Sequence, residues 1–424
     1  MNRAVLAAAA CVGASLLLVS CQGYQSGGST GSSTNVPDRI FASLSVSAGL
    51  SLSGLITVDG SNDTLARVAS INAGLTPTFM VPSPNLATLL VYDAALGDHS
   101  IEFIDTQKDT NLGAVGLAGP TSSIVLPLPG GPAYAAVPSA FVSGGPQGAV
   151  QVVDLPTRTI TSSIGVPGVQ TVVANSNGTV VMAFSPDRDV MTVVIPANIN
   201  TSNPITVAIQ GFDRPVSAVV NGSIAYVLNC GAECGGVQAS VQAFDLNALA
   251  LIGPAVPVDG ATVGLLSGTT LYVAGNSGTN FACTGQTTAA TSCGRLDVID
   301  TTTTPVSVTS SVVVTDGSHT LLNMSLNGQL FVGSVNCTNV GNVVNPSGEV
   351  RGCLSIVNTT SGNSVIVPPD NGDVTGLQSF TTRTVEYVVQ GSNLRIYDTT
   401  QDVLQETQLN VNGGFYDVKA VDFF

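Results

Sequence analysis

The sequence predicts an all-β protein built from one repeating unit, and three observations support this. From residue 38 onward the apolar runs are short and alternate with a period of two, which is typical of half-buried strands. After the first 21 residues no stretch of sequence keeps a 3.6-residue period. Glycine and proline are abundant, at 46 and 22 residues, as a chain with many tight turns requires.

The first 21 residues resemble the signal peptide of a bacterial lipoprotein. Asn2 and Arg3 give a short positive region, and the apolar run at 4–18 is too short to span a membrane comfortably. The sequence LVSC at 18–21 resembles a lipobox. The resemblance implies that Cys21 is acylated and becomes the first residue of the mature protein. An ordinary secretory signal with a chance cysteine is the alternative.

Residues 22–37 are rich in glycine and serine and predict a flexible tether. Such a chain has a root-mean-square span of roughly 20–25 Å. Gln22 follows the lipobox cysteine, whereas an Asp there favours retention in the inner membrane of lipoproteins with the same signal. The expected location is therefore the cell envelope, at the outer membrane rather than the inner, facing the periplasm or the surface.

A short pattern of apolar residues, usually ending in Asp, recurs along the rest of the chain. Eight copies lie mostly 40 to 58 residues apart, which matches the length of one four-stranded blade of a β-propeller. The copies are Ile56–Asp59, Phe103–Asp105, Val152–Asp154, Val193–Ile195, Ala243–Asp245, Val298–Asp300, Ile356–Asn358 and Ile396–Asp398.

The best copies resemble the YVTN family of β-propeller repeats. Leu271–Ala274 (LYVA) followed by Val298–Thr301 (VIDT) carries the resemblance, and Met324–Val332 is similar to that family's strand–turn–strand segment. The resemblance covers 38–424 diffusely and implies a propeller fold. Although YVTN propellers are similar in fold to lactonases, a fold does not by itself carry an activity.

The two ends of this domain predict how the ring closes. The N-terminal unit has three candidate strands, near 40–46, 55–59 and 65–71, and lacks an innermost one. A spare strand, Phe415–Val421, lies at the C-terminus. Pairing the two ends would leave no open edge between blades. We therefore expect eight blades closed by the C-terminal strand, with seven blades as the alternative.

Composition excludes several classes of protein. Net charge is −15, and no basic run is present, so a phosphate backbone would be repelled and nucleic acid is not an expected partner. Trp is absent, which excludes WD repeats and the Trp-docked quinoprotein-like propellers. Charged residues are only 9%, so Ser, Thr, Asn, Gln and Gly must cover the surface.

Six cysteines remain after Cys11 and Cys21 are set aside, and an even number in an exported chain indicates disulfides. Six cysteines allow fifteen connectivities. Their positions beside predicted strands favour nearest-neighbour pairs, each closing a loop of one blade. The predicted bridges are Cys230–Cys234, Cys283–Cys293 and Cys337–Cys353.

Four loops joining a second to a third strand are long: Ser139–Gly148, Cys230–Gly236, Asn276–Cys293 and Ser334–Cys353. In a propeller these loops share one face, and we expect a raised, largely stapled arc there. Phe141, Phe281 and Arg351 are its predicted partner-binding residues. The alternative is that both phenylalanines fold back onto their own blades.

Acidic residues in the blade-to-blade loops predict a ring around the mouth of the channel. Asp259, Asp316, Asp370 and Asp373 are the candidate metal ligands, and calcium is the possible cofactor, because carboxylates suit a hard cation. The alternative is turn chemistry, because Asp-Gly favours tight turns without any ligand.

No catalytic motif is present in the sequence. The predicted innermost strands lack charged residues except for Asp417 and Lys419, and His99 is expected to be solvated. We therefore expect a lipid-anchored, non-catalytic binding or scaffold module for a protein, peptide or glycan. The alternative is a metal-assisted hydrolase or lactonase that uses the acidic ring.

Overall fold

The computed structural model describes residues 36, 38–46, 53–198, 206–277, 294–337, 352–368, 372–400 and 405–422. Its strands are β1 (Arg39–Ser45), β2 (Gly54–Asp59), β3 (Thr64–Leu65), β4 (Pro77–Pro82), β5 (Thr88–Ala95), β6 (Asp98–Asp105), β7 (Thr110–Gly116), β8 (Ser123–Val125), β9 (Ala133–Phe141), β10 (Gln147–Asp154), β11 (Thr159–Gly165), β12 (Thr171–Ala174), β13 (Val181–Phe184), β14 (Val190–Val194), β15 (Thr206–Gln210), β16 (Pro215–Asn221), β17 (Ile224–Asn229), β18 (Ser240–Asp245), β19 (Ala250–Pro257), β20 (Val263–Ser267), β21 (Thr270–Asn276), β22 (Gly294–Asp300), β23 (Ser307–Val314), β24 (Ser318–Met324), β25 (Gln329–Val335), β26 (Leu354–Asn358), β27 (Ser364–Ile366), β28 (Val374–Ser379), β29 (Val385–Gln390), β30 (Asn393–Asp398), β31 (Gln405–Leu409) and β32 (Gly414–Ala420).

These strands form eight antiparallel four-stranded sheets, the eight blades of a β-propeller. Blade 1 has the order β3-β2-β1-β32, and blades 2 to 8 each use four consecutive strands, from β4–β7 to β28–β31. Among the described residues, two short 3-10 helices lie at Pro196–Asn198 and Gly231–Cys234. In the part of the chain that is described, we find no helix with the length and hydropathy needed to cross a bilayer.

Closure by the C-terminal strand is confirmed. β32 lies innermost in blade 1 and pairs antiparallel with β1, so that Ile40 faces Ala420 and Leu44 faces Phe415. The first and last strands therefore share one sheet, and the ring has eight blades rather than the alternative seven.

The hydrophobic core lies between the blades, and this explains the two-residue period. In β5, Leu90 and Tyr92 pack towards Ala135 of blade 3, whereas Leu89 and Val91 pack towards blade 1. Alternate side chains of a strand point to opposite faces of its sheet, so each blade supplies half of two neighbouring cores.

The Asp or Asn that ends most of the third strands has a structural role. Asp245 Oδ1 accepts hydrogen bonds from the backbone N–H groups of Asn247 and Ala248, at 2.8 and 3.0 Å. Asp300 and Asn358 accept equivalent bonds from residues two positions on. Asp and Asn favour turns in which their side chain accepts a backbone N–H in this manner. The recurring Asp and Asn residues therefore stabilise the turn between the third and fourth strands.

In several blades, a buried polar residue lies in the third strand three positions before its final Asp or Asn. Its side chain accepts a backbone hydrogen bond from the connection that enters the same blade. Asp297 Oδ2 accepts the N–H of Asp259 at 2.8 Å. Gln151 accepts the N–H of Ala118, and the Ser355 hydroxyl accepts that of Thr315, both at 2.9 Å. Each bond satisfies a backbone donor of a blade-to-blade loop.

Antiparallel order gives the ring two distinct faces. The hairpins between second and third strands and the blade-to-blade connections lie on one face, here called the loop face. The turns between first and second strands and between third and fourth strands lie on the other, the turn face. Both described ends of the chain lie on the turn face, where the Asp38 carbonyl accepts the N–H of Gly60 in the β2–β3 turn.

Candidate binding face

The loop face carries the most exposed large apolar side chains among the described residues. Leu96 is fully exposed, and Val237, Phe141 and Leu75 are 85%, 77% and 73% exposed. Leu96 and Val237 lie in connections from a second to a third strand, and Phe141 is the last residue of the second strand β9. Leu75 lies in the connection that enters blade 2. The next in order, Leu326 at 53%, lies on the turn face. Single exposed apolar residues are ordinary, so the feature of interest is that the four most exposed among the described residues share one face.

Two predicted disulfides crosslink connections on the loop face, which are called the stapled connections below. Cys230–Cys234 and Cys337–Cys353 are formed, with Cα–Cα distances of 5.6 and 5.5 Å. Both have the predicted pairing. The third predicted bridge, Cys283–Cys293, lies outside the described residues.

Each stapled connection is also anchored to the following blade. Glu233, inside the Cys230–Cys234 loop, accepts hydrogen bonds from the backbone N–H and side-chain Nδ2 of Asn276 in blade 6, at 2.8 and 3.0 Å. Burial raises the pKa of Glu233, although these bonds to Asn276 oppose the shift. The loop is therefore held both by its covalent bridge and by contacts across the blade boundary.

The second stapled connection is anchored in the same manner. The N–H of Asn336 donates to Asp373 Oδ1 at 2.7 Å, and the N–H of Cys353 donates to the Gly372 carbonyl at 3.2 Å. Asp373 and Gly372 belong to the connection that enters blade 8. Preordered loops lose less conformational entropy when a partner binds.

The predicted contact residues fall into two groups. Phe141 ends β9, and its ring is exposed on the loop face instead of folding back onto its blade. Phe281 and Arg351 lie outside the described residues. The connection that follows Phe141 is shorter than the predicted Ser139–Gly148, because β9 continues to 141 and β10 begins at 147.

The candidate metal ligands have protein partners of their own where they are described. Asp259 Oδ2 forms an ion pair with Arg295 at 2.6 Å and accepts the Ser311 hydroxyl at 2.8 Å. Asp316 is buried, and Asp373 accepts the Asn336 N–H. Asp370 lies outside the described residues. Within the described ranges no three His, Cys, Asp or Glu residues are grouped so that they could hold a metal ion.

The channel wall is less uniform than the sequence predicted. His319 belongs to the innermost strand β24 and is buried. Its Nε2 donates to the Thr315 carbonyl at 2.8 Å, because a carbonyl oxygen can only accept. Burial lowers the pKa of His319 to about 4. The ring is therefore neutral near pH 7, and it holds the loop that enters blade 7.

One other residue, His99, differs from the sequence-based expectation. His99 is half-buried rather than simply solvated, and its Nδ1 lies 3.0 Å from the Tyr92 hydroxyl. Lys419, on the closing strand, pairs with Asp417 at 2.7 Å. Asp417 in turn accepts the N–H of Met80 in blade 2 at 2.7 Å, which ties the closing strand to its neighbour.

A buried carboxyl group that the sequence did not predict lies near this strand. Glu386 of β29 is fully buried, and its Oε1 accepts the Asn323 side-chain amide at 2.9 Å. Its Oε2 has no hydrogen-bond partner among the described residues. Burial raises the pKa of Glu386 to about 8, against the opposing effects of Asn323 and the Lys419 charge. The group is therefore mostly protonated at neutral pH.

Comparisons with known proteins support the fold alone. No family model matches the sequence. No curated protein matches it either. Among solved structures, a dihydro-heme d1 dehydrogenase is 11% identical to this chain, with a TM-score of 0.61. The match covers 91% of this chain and 75% of the dehydrogenase chain. A periplasmic gluconolactonase of Pseudomonas aeruginosa is 13% identical with a TM-score of 0.52, covering 90% and 98%.

A third structure, a putative 6-phosphogluconolactonase of Bacteroides fragilis, is 12% identical with a TM-score of 0.52, covering 92% of this chain and 100% of its own. The names of these three structures describe different activities. The similarity therefore supports a β-propeller fold for this chain. It assigns no function, because one fold can carry many activities.

Proposed function

We propose that this protein is a lipid-anchored, extracytoplasmic β-propeller that acts as a non-catalytic binding or scaffold module. Its partner is a protein, peptide or glycan held on the loop face. The main support is that the four most exposed large apolar side chains of the described residues, Leu75, Leu96, Phe141 and Val237, all lie on that face. Exposed apolar groups cost free energy in water, and a partner that covers them recovers it.

The stapled connections support this proposal. Cys230–Cys234 and Cys337–Cys353 are consistent with an oxidising compartment outside the cytoplasm. Each loop is also bonded to the next blade, through Glu233 and Asn336 respectively. Val237 follows the first staple closely, so its side chain is presented from an ordered connection.

The hydrolase or lactonase alternative has less support from the described residues. Asp259, one of its proposed ligands, is already paired with Arg295 and Ser311. Asp370 lies outside the described residues, so that alternative remains a prediction. The similarity to gluconolactonase structures is at the level of the fold.

The proposal can be tested by crosslinking in intact cells, followed by affinity purification and mass spectrometry. The natural protein is compared with a double variant of the loop face, which carries both Phe141→Ser and Val237→Ser. Leu326→Ser on the turn face is the matched control, because it also removes an exposed apolar side chain. We expect a specific partner to be lost from the loop-face variant and retained by the control.

A partner that binds all three proteins equally would contradict the role of the loop face. Lactone hydrolysis by the purified protein, lost together with bound calcium in Asp259→Ala, would favour the alternative instead. Circular dichroism of each variant shows whether the fold is retained.

A further inference from the structure

The chain enters the ring on the face opposite the exposed apolar residues. Asp38 precedes β1, and its carbonyl accepts the N–H of Gly60 at 3.0 Å in a third-to-fourth turn of the closing blade. Arg39 reaches the corresponding turn of blade 2, where its Nη1 donates to the Thr106 carbonyl at 2.7 Å. The sixteen residues at 22–37 therefore join the domain at the turn face.

The two faces are separated by the length of the strands. A typical second or third strand here has six to eight residues, as in β2, β5 and β6. With a rise of about 3.3 Å per residue, the loop face lies roughly 20–25 Å from the turn face. A lipid at Cys21 would thus hold the turn face nearer to the membrane.

The charges on both faces disfavour direct contact with an anionic bilayer. The turn face carries the carboxylates that accept backbone N–H bonds, and those bonds lower the pKa of Asp245. The pKa of Asp300 is lowered too, chiefly by the Thr302 hydroxyl. On the loop face, Asp98, Asp187 and Asp189 are exposed, and the exposed Arg188 and the Arg214–Asp189 pair offset part of this negative charge. Insertion of apolar side chains into an anionic membrane is normally assisted by Lys and Arg, and this chain has only 12.

We propose that the loop face points away from the membrane and that its occupant is a protein approaching from the space beyond the bilayer. This inference rests on the proposed function, because it assumes both the lipid at Cys21 and the apolar contact surface. The occupant inserts apolar side chains among Leu96, Phe141 and Val237. It presents a basic rim to the neighbouring carboxylates, since the charge on this chain is strongly negative.

The test measures energy transfer from the full-length lipidated protein to vesicles of phosphatidylethanolamine and phosphatidylglycerol that carry an acceptor dye on a headgroup. A donor dye is attached through an encoded azido residue at Leu96 on the loop face or at Leu326 on the turn face. Both side chains are exposed, so neither label disturbs the core. We expect clearly lower transfer efficiency from position 96 than from position 326.

Equal transfer from both positions, or higher transfer from position 96, would overturn the orientation. Cys21→Ser separates this failure from failure of the anchor. If the anchor is correct, Cys21→Ser abolishes transfer from both positions. No transfer from the natural chain would refute the anchor and, with it, the inference. Strong transfer from position 96 that persists in Cys21→Ser would show that the loop face itself docks on lipid, which also overturns the proposal.

Discussion

Arg39 and Asp422, which are 383 residues apart in the sequence, are joined by hydrogen bonds to both carboxylate oxygens. Arg39 Nη2 lies 2.6 Å from Oδ1, Nε lies 3.0 Å from Oδ2, and the Arg39 backbone N–H also donates to Oδ2 at 2.8 Å. The same guanidinium reaches Asp109 in blade 2. One side chain thus joins the start of the domain, its end and the neighbouring blade.

Arg39→Gln is therefore expected to destabilise the closed ring. The Arg39 and Asp109 side chains are both less than a tenth exposed, so removing the cation leaves a buried carboxylate without its charge partner. Breaking such a pair typically costs about 3–5 kcal/mol. Urea denaturation followed by circular dichroism measures the loss in the free energy of unfolding.

Lys108→Gln is the matched control for that change. Lys108 pairs with Asp105 at 3.0 Å, but its side chain is 75% exposed. Exposed pairs contribute at most about 1 kcal/mol, so the control should remain close to the natural protein. A loss as large as that of Arg39→Gln would show that the two sites do not differ as described.

Much of this architecture could be predicted because it follows from local patterns. The Asp at the end of a third strand recurs because its side chain accepts backbone N–H groups of the following turn, as Asp245 does, and the spacing of the repeats gives the blade count. The missing innermost strand at one end and the spare strand at the other predict closure. The Arg39–Asp422 contact could not be predicted, since no local pattern links residues so far apart in sequence.

Glu386→Gln is expected to stabilise the protein at alkaline pH. The pKa of Glu386 is raised by burial from 4.5 to about 8 in the folded state. As pH rises from about 4.5, the unfolded chain loses this proton first, so the free energy of unfolding falls until about pH 8 and then this contribution stays constant. The amide of Gln carries no charge and removes this dependence.

Denaturation at pH 4.5, 6.5 and 8.5 checks this expectation. The gain from Glu386→Gln should be smallest at pH 4.5 and amount to a few kcal/mol at pH 8.5. A gain that does not change with pH would show that Glu386 ionises normally in the folded protein.

Asp297→Ala is expected to loosen the connection into blade 6. Its carboxylate accepts the N–H of Asp259 at 2.8 Å in a buried position. Loss of the acceptor leaves that donor unsatisfied, at a cost of roughly 1–3 kcal/mol. Asp297→Asn keeps an acceptor oxygen and should cost less, as Gln151 performs the same role in blade 3. Thermal melting of both variants provides the comparison, and equal losses would count against this role.

The disulfide pattern predicts that none of the six cysteines after Cys21 has a free thiol. Maleimide labelling in denaturant without reductant should leave all six cysteines after Cys21 unmodified. Peptide mapping should recover Cys230–Cys234 and Cys337–Cys353, which the structure describes, and Cys283–Cys293, which stays a prediction. Two free thiols at Cys283 and Cys293 would contradict the third bridge.

The exposed apolar residues of the loop face were only partly predictable. Phe141 was found because it lies in a glycine-rich connection between two strands. Leu96 and Val237 were missed, since exposure depends on the tertiary position of the connection and not on residue type. A leucine directly before Gly97 in a tight hairpin was a usable signal, because a two-residue turn leaves its side chain few neighbours.

The account depends most on the pairing of β1 with β32, because that pairing defines both the ring and its two faces. Native-state hydrogen exchange with mass spectrometry tests it directly. We predict that the amides of Arg39–Ser45 and Gly414–Ala420 are protected together and exchange only when the whole domain opens. Exchange of Gly414–Ala420 within seconds, while Arg39–Ser45 stays protected, would contradict closure by the C-terminal strand.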